Sequence, residues 1–110
     1  GQWHLYNASN GGGYYMKRII IDFAGSRYIG ELHSRIREAF LQSNIGFPDF
    51  YGNNLDALWD CLTGFIETPV EITLIGGNQV AEIVKDAAVE VIKVFEEASK
   101  GDWEIHCNIK

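Results

Sequence analysis

From Met16 onward the apolar positions change their period from block to block, and each change marks an element. Ile19-Ile20-Ile21, within Arg18 to Phe23, is a continuous β-branched run of the kind expected for a strand buried on both faces. Gly25 and Ser26 interrupt it. Ile29, Leu32, Ile36, Ala39 and Phe40 then recur at helical spacing, with Arg35 and Arg37 elsewhere around the axis. Between Gln42 and Gly52 stand Asn44, Gly46, Pro48, Asp49 and Gly52, too many breakers to prolong a helix. A short second helix is predicted from a cap at Asn53 or Asn54 to Thr63, with Gly64 just past its end, where a left-handed residue is favoured. Val70 to Ile75 has the composition of a strand, and Gly76-Gly77 closes it. Val80, Ile83, Val84, Ala87, Val91, Val94, Phe95 and Ala98 keep one apolar stripe, which predicts the longest helix, from Val80 to Ala98. Trp103, Ile105, Cys107 and Ile109 alternate with Glu104, His106, Asn108 and Lys110, the period of a half-exposed strand.

Strand, helix, helix, strand, helix, strand, with helices as crossovers, implies an α/β fold: a small, mostly parallel three-stranded sheet packed by helices. A chain of 110 residues suits a single core. Residues 1–15, with Gly11-Gly12-Gly13 and the scattered Trp3, Tyr6, Tyr14 and Tyr15, stand outside the pattern. They are expected to be a leader, a tag remnant or a flexible tail ahead of a domain covering 16–110.

Charge narrows the range of functions. Nine Lys and Arg against fifteen Asp and Glu give a net charge of −6, the wrong sign for a protein that holds nucleic acid by neutralising phosphates. From Glu38 to Val84 there is no Lys or Arg, while Glu38, Asp49, Asp56, Asp60, Glu67, Glu71 and Glu82 all fall there. Either a solvated surface or a basic partner accounts for such a stretch. No run approaches the roughly 18 apolar residues of a membrane span. Cys61 and Cys107 are too few for a disulfide scaffold, and no CxxC or His-rich spacing suggests zinc. A reduced, cytoplasmic setting is expected, with no cofactor, metal, nucleic acid or membrane as partner, and a monomer when free.

The second helix places its acids unusually. At about 100° per residue, with Leu55 at zero, Leu58 and Leu62 join Leu55 in a buried stripe, while Asn53, Asp56 and Asp60 share an exposed strip and Trp59 lies on the border. Asp56 sits in the first turn, facing the positive end of the helix dipole, and could complete a capping box with Asn53. Asp60 sits in the last turn, where an anion is disfavoured by roughly 0.3–1 kcal/mol, with Asp56 as its i−4 neighbour and no Lys or Arg at i±3 or i±4. A residue that breaks local rules without compensation marks where function should be sought.

The run Phe50-Tyr51-Gly52-Asn53-Asn54-Leu55-Asp56-Ala57-Leu58-Trp59-Asp60-Cys61-Leu62-Thr63-Gly64, followed by Glu67 and Pro69, resembles the signature of the barstar family, intracellular inhibitors of the ribonuclease barnase. Glu31-Leu32-His33 and Val94-Phe95-Glu96-Glu97-Ala98 extend the resemblance over Lys17 to Lys110. It implies a three-stranded parallel sheet with helices, a cis peptide at Thr68-Pro69, and inhibition by an aspartate, here Asp60, that occupies a phosphate position in the ribonuclease active site. It further implies partner contacts through Asp56, Trp59, Phe50, Gly52, Asn53 and Glu97. The chain departs from the family's pattern at several points. Phe50 stands where barstar has a stacking tyrosine, Asn53 where it has a glutamate, and Trp103 where it has its second cysteine. Gly101 or Asp102 stands in place of its late glutamate, and the loop before Phe50 is about five residues longer.

Two other functions compete with ribonuclease inhibition. Asp56 and Asp60 could be a catalytic carboxylate pair, but such pairs need a concave pocket and these project from a convex helix. The acidic face could instead serve a basic partner that is not a nuclease. His33 and His106 have no nucleophile at a recognisable spacing and are expected to be structural and exposed respectively. Cys61, on the far side of the wheel from the acids, is expected to be a packed thiol. Asp86 and Glu90 read as solvated surface.

Overall fold

The structure is a computed structural model, and it describes residues 16–49 and 51–110. Three parallel strands form the sheet: β1 (Lys17–Asp22), β2 (Val70–Ile75) and β3 (Ile105–Ile109), in spatial order β1-β2-β3. Helix α1 (Ile29–Gln42) and helix α2 (Leu55–Gly64) connect β1 to β2, and a 3-10 turn (Glu82–Val84) with helix α3 (Lys85–Ser99) connects β2 to β3. The element order is the one the hydrophobic pattern predicts, and the α/β class with a three-stranded parallel sheet holds. The Thr68-Pro69 peptide is cis.

Register decides which face is core. Ile19 pairs with Ile72, Ile21 with Leu74, and Val70 with Ile105, so these side chains share one face, and all are buried. Phe23, Leu32, Ile36, Phe40, Leu58, Leu62, Val91 and Phe95 complete the core from the next turn and the helices. The opposite face carries Arg18, Ile20, Glu71 and Asn108. Arg18 Nε lies 3.0 Å from a Glu71 carboxylate oxygen, and Asn108 Nδ2 donates to the other oxygen at 3.0 Å.

Three expectations are corrected here. β1 is not buried on both faces: it is an edge strand with helices on one side only, and Ile20 is 64% exposed. The last helix begins at Lys85 rather than Val80. A 3-10 turn precedes it, Ile83 is 85% exposed, and the buried stripe runs through Val84, Ala88, Val91, Phe95 and Ala98. Trp103 lies outside β3, because Glu104 takes a φ of 61° that turns the chain before the strand begins.

α1 packs against β1, α3 against β3, and α2 packs on α3 rather than on the sheet. The acidic helix is thereby held outward. At the other end of the sheet, Gly76 (φ +73°) ends β2 so close to β1 that a Cβ would lie 2.6 Å from the Ala24 nitrogen, which only glycine permits.

Candidate functional site

The site is α2 with the loop leading into it. Asn54 is the cap: its backbone is extended and its Oδ1 accepts from the Ala57 N–H at 2.8 Å, while its own amide donates to the Gly52 carbonyl at 3.2 Å. Asn53 has a φ of 54° and does not cap, so Asp56 forms no capping box with it. Asp56 keeps its place in the first turn, next to the helix's free N–H groups. Gly64 belongs to the helix and is not left-handed. The C-terminal end closes instead with the Phe65 and Ile66 N–H groups both donating to the Cys61 carbonyl at 3.1 Å.

Asp56 and Asp60 are exposed on one side of α2, and Leu58, Cys61 and Leu62 are buried on the other. Leu55, expected in the buried stripe, is 37% exposed, at the edge of a groove between the start of α2 and α3. Cys61 is the packed thiol the wheel predicts, and burial followed by the charge of Asp60 pushes its pKa up. Of the acids in the stretch without basic residues, Glu67, Glu71 and Glu82 are each matched by a cation from outside it, namely Lys17, Arg18 and Lys85. Among the described residues, Asp56 and Asp60 on α2 make no ion pair, and neither do Glu38 and Asp49, so the negative field of this stretch is left open at these four acids.

Trp59 is half-buried at the border, and its ring meets Trp103 edge to face, with centroids 5.4 Å apart and an interplanar angle of 82°. Trp103 was not expected to take part. Its neighbours Asp102 and Glu104, with Thr63 and Thr68, line a cleft of about 270 Å³ at the C-terminal end of α2. The acidic surface therefore continues beyond the helix. Glu97 is exposed on α3 and held by Lys100 at 3.2 Å. Phe50 lies outside the described residues, between Asp49 and Tyr51.

The loop before α2 is anchored from beneath. Ile45, Phe47 and Tyr51 are buried, Phe47 stacks on Phe40 with centroids 4.8 Å apart, and Tyr51 meets Phe47 edge to face at 5.0 Å. The Tyr51 hydroxyl bonds to His33 Nδ1, and Arg37 Nη2 donates to the Tyr51 carbonyl at 3.0 Å and toward Asn53 Oδ1 at 3.4 Å. Gly52, Asn53 and the Asn54 cap are thus positioned by α1. His33 is structural, as expected, and the part played by Tyr51 was missed. A signal was present in the sequence: breakers interleaved with aromatics imply a loop with its own packing rather than an open one. Among the described residues, no group of three or more His, Cys, Asp or Glu is placed to hold a metal, and no helix is long and apolar enough to cross a membrane.

The model of one family, described as barstar (barnase inhibitor), matches residues 16–109. The chain belongs to the barstar family. It is also 37% identical over 93 residues to a protein of Bacillus subtilis (strain 168) named "Putative ribonuclease inhibitor YrdF", an overlap covering 82% of this chain and 97% of that protein. A barstar-family chain is an inhibitor and not an enzyme, which agrees with acids that project from a convex helix rather than line a pocket.

Proposed function

We propose that this protein blocks the active site of a basic, barnase-type ribonuclease, presenting α2 and the loop before it, with the Asp60 carboxylate in the place of an RNA phosphate. The observation that carries this reading is Asp60 itself, exposed in the last turn of α2 with no ion pair among the described residues. The helix dipole and Asp56 both oppose an anion there, so a cation supplied by another molecule would relieve a cost that the chain itself leaves standing. A carboxylate offers two acceptor oxygens to a bidentate guanidinium, as a phosphate does, and a site built for phosphate accepts it. Asp56, Trp59 with Trp103 behind it, Gly52, Asn53, Phe50 and Glu97 flank that contact. Residues 16–110 form the inhibitory unit, which acts as a monomer in the cytoplasm without cofactor, and residues 1–15 are an appendage to it. The name of the family's founding inhibitor and the name of the Bacillus relative support the ribonuclease as partner. The test is titration of barnase activity with the parent and with Asp60→Ala: the parent is expected to inhibit stoichiometrically and the variant to fail at equal concentration. Equal inhibition by both would refute the mimicry.

A further inference from the structure

The N-terminal ends of α1 and α2 and the side of α3 enclose a groove of about 290 Å³, distinct from the acidic strip but next to the Asn54 cap. Ile29 and Leu55 flank it, Val91, Ala87 and the buried ring of His33 form its floor, and Glu90 stands at its rim. Ile29 is 53% exposed and Leu55 37% exposed, each at the first position of its helix, so two partly open apolar side chains line one groove. Glu90, which read as plain solvated surface, is the carboxylate at that opening. Its neighbour Lys93 lies 3.5 Å away with both side chains more than half exposed, an arrangement that contributes little and leaves the carboxylate open to a second cation.

We infer that this groove is a second anchoring pocket for the ribonuclease, taking one lysine or arginine side chain whose aliphatic stem lies over Ile29 and Leu55 and whose charged head meets Glu90. Long basic side chains bury their stems on apolar surface while keeping the head on an acceptor, and an apolar groove with a single acid at its rim matches that shape. Asn54, the cap of the helix that carries Asp56 and Asp60, itself lines the groove, so one basic partner seated on those acids can reach both. The inference rests on the inhibitor reading for the identity of the partner, while the chemistry of the pocket stands by itself.

Dissociation constants for barnase are measured with the parent, Asp60→Ala, Glu90→Lys and Ile29→Thr, alongside urea unfolding of each. Glu90→Lys is expected to weaken binding at least tenfold and Ile29→Thr several-fold, with unfolding midpoints close to the parent's. If Asp60→Ala loses binding while both groove variants bind like the parent, the groove is overturned and the inhibitor reading stands. If the parent does not bind barnase, that reading fails for this enzyme, and the pocket is decided by a small probe. In that experiment millimolar n-butylguanidinium is expected to shift the Ile29, Leu55 and Val91 methyl resonances of the parent but not those of Glu90→Gln, and unshifted parent methyls would overturn the pocket.

Discussion

The guanidinium of Arg37 and the backbone carbonyl of Tyr51 lie 3.0 Å apart, and the same guanidinium sits 5.6 Å from the centre of the Tyr51 ring. One side chain of α1 therefore fixes both the backbone and the ring of the residue that precedes Gly52. Because Asn54 caps α2 only two residues later, the starting point of the acidic helix depends on this contact.

Arg37→Ala is expected to lower the unfolding free energy by about 1–3 kcal/mol, the range for a hydrogen bond from a charged donor with a cation–π contact added. Arg37→Lys should recover only part of it, since an ammonium cannot present the planar fork. Urea unfolding measures the loss. Faster dissociation from barnase should accompany it, because a loop that is no longer held in place has to be ordered on binding.

His33 links the same contact to pH. Burial, and after it the charge of Arg37, lowers the pKa of the imidazole below its ordinary 6.5. The Tyr51 phenol is pushed above its usual range, mainly by burial, so it stays protonated while it bonds to the neutral ring at Nδ1. With the folded pKa below the unfolded one, stability from this group is complete above about pH 6.5 and falls as pH drops below it, because the unfolded chain takes up the proton first. The slope approaches at most about 1.4 kcal/mol per pH unit. Urea midpoints across this window should fall in the parent and lie flatter in His33→Gln, and equal slopes would rule out His33 as their source.

The parts of the fold legible in the sequence were those in which local period and tertiary burial agree. Val70 to Ile75 and the stripe ending at Phe95 and Ala98 are buried where their period places them. Ile20, Ile83 and Leu55 misled because hydrophobicity alone does not reveal that a strand lies at an edge, that a helix opens through a 3-10 turn, or which flank of a helix its neighbour covers. In the site, Asp60 was legible as a conflict between charge and dipole within α2 itself. Tyr51 and Trp103 were not, since each gains its role from residues far along the chain: His33 and Arg37 for one, Trp59 for the other.

Gly101 tests the second of these. A Cβ there would lie 1.9 Å from Cζ3 of Trp103, so Gly101→Ala must displace the indole from Trp59. The expected result is a changed near-ultraviolet circular dichroism spectrum with the far-ultraviolet spectrum kept. A stability loss of about 1–3 kcal/mol, typical of overpacking with a lost aromatic pair, should accompany it. An unaltered near-ultraviolet spectrum would show that the two rings are not held together in solution.

Asp56 and Asp60 are one helical turn apart, are equally charged, and should respond to truncation in opposite ways. Asp60→Ala removes an anion from the C-terminal turn and relieves its repulsion with Asp56, so stability should hold or rise by some tenths of a kcal/mol. Asp56→Ala removes an anion from the N-terminal turn, where it faces free N–H groups, and should cost roughly 0.3–1 kcal/mol. Binding should reverse the order. Losing the Asp60 carboxylate leaves the ribonuclease's cations buried without a partner, a penalty on the order of 2–5 kcal/mol or more; this range is drawn partly from the barnase–barstar complex itself. Truncating Asp56 should cost less. Urea unfolding and barnase inhibition measured on both variants separate the two effects. If Asp60→Ala were destabilised as much as Asp56→Ala and inhibited as well as the parent, Asp60 would be an ordinary surface acid, and the phosphate mimicry would have to be abandoned even though the chain belongs to the barstar family.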